Sequence, residues 1–75
     1  MLRLRVKEVA QDKGLSQGRL SRKANVDPTT LRRIYHDPFT IITTETLARL
    51  AEALNVPAAE LIEDVPSASQ GENQQ

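Results

Sequence analysis

Apolar residues recur at helical spacing along most of this chain, interrupted at short intervals by capping and turn residues. Leu2 to Arg5 alternates apolar and basic side chains, the period of a strand. Val6, Val9 and Ala10 then take up helical spacing until Gly14, which predicts a first helix from about Val6 to Lys13. Ser16 is a cap for a second helix, and Leu15 stands where it can pack on Leu20 as a hydrophobic staple. Leu20, Ala24 and Val26 mark the inner side of that helix, Ser21 is small enough to admit a neighbouring helix, and Asn25 suits a left-handed end. Asp27 follows as the cap of a third helix, with Pro28 at its first position, where no N–H is needed. Pro38 stops this helix, so 37–42 is a connecting loop, whose Phe39 and at least one of Ile41 and Ile42 are expected to plug the bottom of the core. Thr43 or Thr44 caps a fourth helix with Leu47, Leu50, Ala51 and Leu54 at the i, i+3, i+4 and i+7 positions; Asn55 ends it, and Pro57 starts a short fifth helix through Ile62.

The pattern predicts an all-α architecture: a compact five-helix domain over residues 6–64, preceded by an extended segment at 1–5. Residues 65–75 form a polar tail that holds nothing to bury and is expected to be disordered. If the strand signal at Leu2–Arg5 is real, its edge needs a partner, either elsewhere in the chain or in a second subunit. With 75 residues and no cysteine, the chain has no disulfide framework or thiolate metal site to staple it, so its stability must come from packing. No apolar run approaches the roughly 18 residues that span a bilayer, and the first residues lack a signal-peptide core, which predicts a soluble cytoplasmic protein.

At about 100° per residue, Leu31, Ile34 and Tyr35 share one side of the third helix, while Thr29, Arg32, Arg33 and His36 fall on the other. Taken alone, that polar side would also suit a merely solvated surface. The spacing before it changes the reading. Two short helices separated only by residues 24–27 make a helix-turn-helix at the second and third helices, and the first of the pair adds Gln17, Arg19, Arg22 and Lys23. Charge is divided accordingly: residues 1–40 carry nine basic and four acidic side chains, residues 41–75 one basic and six acidic. The overall formal charge of zero therefore conceals a basic half suited to a polyanion.

Enzymatic chemistry has no foothold. There is no glycine-rich phosphate loop, metal-ligand cluster or catalytic triad, and His36, the one histidine, lacks both a ligand partner and a nucleophile, so neither metal nor cofactor is expected.

Gly14-Leu15-Ser16-Gln17, Val26, Leu31, Ile34 and the run from Glu45 to Val56, at these spacings, resemble the phage-repressor-like helix-turn-helix domains of the Cro and xenobiotic-response-element type over residues 6–63. The resemblance implies a lambda-repressor-like fold and sequence-specific binding of double-stranded DNA by a small prokaryotic or phage transcriptional regulator. It also implies site roles. Gln17 matches a DNA-backbone contact, and Thr29 and Arg33 match positions that face base edges; Pro28 occupies another, with only apolar contact to offer. Arg32 and His36 lie on the edges of the same face and belong with the base-reading group, while Arg19, Arg22 and Lys23 join Gln17 on the backbone. Gly18 and Arg19 stand where the family often has acidic residues, and Asn25 where it usually has glycine.

One such domain buries too little DNA for operator-level affinity, so a homodimer reading half-sites about 34 Å apart is expected. Its interface is open between the Leu2 and Leu4 pair and the acidic fifth helix. An alternative reading is a protein-interaction module, such as an antitoxin-like or accessory subunit whose partner is another protein.

Overall fold

The computed structural model describes residues 1–66. In chain order it contains β1 (Leu2–Leu4), α1 (Val6–Asp12), α2 (Gln17–Ala24), α3 (Pro28–His36), α4 (Thr44–Leu54), a 3-10 turn (Ala58–Leu61) and β2 (Ile62–Asp64). The helices begin where side chains can satisfy their free N–H groups. Ser16 accepts from Arg19 N at 3.3 Å, Asp27 from Thr29 N at 2.7 Å, and Thr43 from Thr46 N at 3.1 Å. Helices α2 and α4 both end at an asparagine in the left-handed conformation, Asn25 (φ 56°) and Asn55 (φ 58°). Gly14, at φ 71°, turns the chain out of α1.

Two expectations are corrected. The fold is not all-α with five helices: four α-helices are joined by a 3-10 turn and a two-stranded antiparallel sheet in which Leu2 faces Asp64, Arg3 faces Glu63 and Leu4 faces Ile62. A helix after Pro57 has room for only four residues, too few to propagate, before β-branched Ile62 extends and pairs with Leu4. The strand signal at Leu2–Leu4 thus finds its partner within the same chain. Arg3 fastens the junction, donating to Glu63 at 3.3 Å and to Glu8 of α1.

The loop after α3 is the second correction. Phe39 does not plug the core, for it is 42% exposed; of the two isoleucines, Ile42 packs against the core as expected and Ile41 is 92% exposed. Asp37 holds the turn locally, its carboxylate accepting from Phe39 N at 3.1 Å and its carbonyl from Thr40 N at 3.0 Å. This tight turn leaves Phe39 exposed, while Leu4 and Leu61 are buried in the core.

Val6, Leu20, Leu31, Ile34, Leu50, Leu54 and Leu61 are the large, fully buried side chains. Helix α2 packs on both α3 and α4, and α1 packs on α3, so the inner stripe of α3 is gripped from two sides. Val65 donates its N–H to the Met1 carbonyl at 2.8 Å and is half-buried. The disordered tail was expected over 65–75; Val65 is held by that bond, and 67–75 lie outside the described residues.

Candidate nucleic-acid interface

Helices α2 and α3 meet across a turn of Asn25, Val26 and Asp27. The left-handed Asn25 ends α2, its N–H donating to Arg22 O, and Asp27 at once caps α3, so no slack remains to let α3 fold back along α2. Side chains also bind the turn from within and without. The buried Ser21 hydroxyl donates to the Val26 carbonyl, while Arg49 of α4 donates to the Asn25 carbonyl at 3.3 Å and to Glu45 at 2.8 Å.

Burial of Leu31 and Ile34 fixes which way α3 faces. Thr29, Arg32, Arg33 and His36 are all exposed and line one shallow groove together with Asp37. Pro28 is exposed at the start of α3 but outside that groove. On α2, Arg19, Arg22 and Lys23 are exposed and line a second shallow groove with Leu15; Gln17, half-buried at the first position of the helix, is not among its walls. The nine residues singled out from sequence are thus placed as a four-residue cluster on α3, a three-residue cluster on α2, and Pro28 and Gln17 at the two helix starts.

The electrostatics favour an anion. Among the described residues, the ion pairs join the N-terminus to Asp64, Arg3 to Glu8 and Glu63, and Arg49 to Glu45; Arg19, Arg22, Lys23, Arg32 and Arg33 take part in none. Five cations on two adjoining helices remain available for phosphate oxygens or base acceptors.

Tyr35 lies between the two sides of α3. Burial pushes its phenol above the ordinary value, and its hydroxyl is buried without a hydrogen-bond partner among the described residues. It borders a depression shared with Arg3, Lys7, Glu8 and Gln11. At Glu8, burial alone would raise the carboxyl, but bonds from Arg3 and from backbone outweigh it and hold the group below the ordinary carboxylate range.

Sequence reasoning passed over two residues of this region. Asp37, read only as loop, brings a carboxylate to the edge of the α3 groove, where it can accept from a cytosine amine and disfavours a phosphate. The Asp-Pro pair after a helix is a local turn signal and marks the place. Arg49 braces the turn from 24 residues away, and no local pattern announces that.

No helix among the described residues is long and apolar enough to cross a membrane. No curated protein matches the chain. Residues 5–67, by contrast, match the model of the Cro/C1-type HTH DNA-binding domain, a span that takes in all four helices, the second strand and the two grooves. The chain therefore belongs to the Cro/C1-type helix-turn-helix DNA-binding family.

Proposed function

We propose that the protein is a transcriptional regulator that binds double-stranded DNA sequence-specifically as a homodimer, with α3 in the major groove. The observation that carries this reading is the division of α3: Leu31 and Ile34 are buried, while Thr29, Arg32, Arg33 and His36 converge on one exposed groove. Arg33 is the residue we assign to a bidentate contact with guanine, and Thr29 supplies a hydroxyl and a methyl group for the neighbouring base pair. Arg32 and His36 reach bases at the edges of the helix, and Pro28 offers its ring to a thymine methyl. Arg19, Arg22 and Lys23 then bind phosphates along one strand, with Gln17 beside the free N–H groups at the start of α2, and so fix the register of α3.

Fluorescence anisotropy with a random-sequence duplex, followed by selection of a preferred site from a library, tests the proposal. Affinity of the wild type should fall by orders of magnitude between about 50 and 200 mM salt, because releasing counterions into a saltier solution gains less entropy. Arg33→Ala should bind the random duplex nearly as well but lose about 1 to 3 kcal/mol of preference for the selected site. No binding at low salt would refute the proposal in favour of a protein partner.

A further inference from the structure

The large exposed apolar side chains of the described residues are Met1, Leu2, Phe39 and Ile41. Three of them are gathered in one place. Leu2, Phe39 and Ile41 all line one groove between β1, the loop after α3 and the start of α4, floored by Leu4, Ile42 and Leu47; Met1 adjoins it through the chain. Leu2 is 58% exposed and Ile41 92%. At about 200 Å² for a fully exposed side chain, Leu2, Phe39 and Ile41 present on the order of 400 Å² of apolar surface in one place, a size that marks an interaction site on a small protein.

We propose that this groove is the interface by which a second copy of the chain docks, two-fold related, to make the dimer. Three observations select that occupant. None of the residues lining the groove is charged, and its polar rim consists of threonines, Thr40, Thr43 and Thr44 among them. A two-fold contact sets a patch against itself, so a charged rim would meet like charge, whereas this one meets hydroxyl with hydroxyl. Residues 67–75 are a poor occupant by composition, with Ala68 as their one apolar side chain. Finally, Leu2, Phe39 and Ile41, with the threonine rim added, approach the roughly 600 Å² per partner at which specific interfaces begin.

The position of the groove gives the contact a purpose. Phe39 lies three residues beyond His36, the last residue of α3, and Asp37 and Pro38 join them in a tight turn. Docking there ties the C-terminal ends of two α3 helices to a common axis. This inference shares with the proposed function only the homodimer, and its test contains no DNA.

The test is sedimentation equilibrium of three full-length proteins. The wild type should dimerise. Ile41→Lys, at a side chain so exposed that circular dichroism and thermal midpoint should not change, should raise the dissociation constant about 100-fold, since the axis counts each substitution twice. Ala59→Lys, exposed on the 3-10 turn and outside the groove, should leave the constant within about twofold. A monomeric wild type overturns the proposal, as does an Ile41→Lys protein that dimerises like the wild type. Disruption by Ala59→Lys alone would move the interface to the 3-10 turn and overturn it equally.

Discussion

Ser21 and Val26 hold each other across the helix-turn-helix: the Ser21 hydroxyl donates to the Val26 carbonyl at 2.7 Å, and the Val26 N–H donates back to the Ser21 carbonyl at 3.0 Å. The hydroxyl lies in the core, the one buried polar side chain among the described residues. It satisfies a carbonyl that α2 has no room to reach with a backbone donor. Ser21→Ala strands that carbonyl away from water and should destabilise the protein by about 1 to 3 kcal/mol in chemical denaturation, with no change in the denaturant slope. An unchanged midpoint would show that the turn holds without it.

Gly18 faces open space on α2. A methyl group there would meet only Arg22 Nη1, at an ordinary 3.8 Å, and the backbone is helical. Gly18→Ala should therefore stabilise the protein by about 0.5 to 1 kcal/mol, by narrowing the unfolded ensemble as well as favouring the helix. The same measurement on Gly14→Ala should show a loss, because its φ of 71° strains any side chain.

Tyr35 predicts the alkaline limit of stability. Its folded phenol ionises above the ordinary value, so the neutral form is preferred in the fold. The stability linked to that preference is fully present below about pH 10, the unfolded value, and is lost as pH rises through the folded value. Because Tyr35 is the chain's one tyrosine and there is no tryptophan, ultraviolet titration reads this group directly. Tyr35→Phe should remove that dependence and leave neutral-pH stability equal or higher, since the hydroxyl has no partner to lose.

Arg22 and Lys23 lie on the backbone-contacting side of the proposed complex. Replacing either with alanine should weaken binding about equally across sequences and flatten the salt dependence by about one unit of slope, measured as log affinity against log salt. A change confined to one DNA sequence would instead make that residue a base reader.

What could be read from sequence was local. Ser16, Asp27 and Thr43 announced the starts of three helices because a cap acts within three residues of itself, and Leu31 and Ile34 set the facing of α3 through helical periodicity alone. The pairing of Leu4 with Ile62 depends on segments at opposite ends of the described chain, and nothing near Ile62 signals it. Phe39 was expected inside because it is apolar, but residue type does not say which side of a tight turn faces out. Ser21 was legible as small and illegible as a donor, since its acceptor is created by the turn it stabilises. The division of the candidate residues between α2 and α3 could be read from spacing, but the placing of Asp37 beside those on α3 could not.

Pairing of β1 with β2 also imposes an order on assembly. Leu4 belongs to the core, yet the strand that covers it is the last element of the described chain, after every helix. Closing so long a loop adds only modestly to the entropy that folding must overcome, because that term grows with the logarithm of loop length. Timing is affected more. As the protein is synthesised from its N-terminus, the helix-turn-helix is complete while Leu2 and Leu4 still wait, uncovered, for Ile62. Helix α3 is thus synthesised well before the strand that pairs with β1, and the chain's first strand is the last to find its partner.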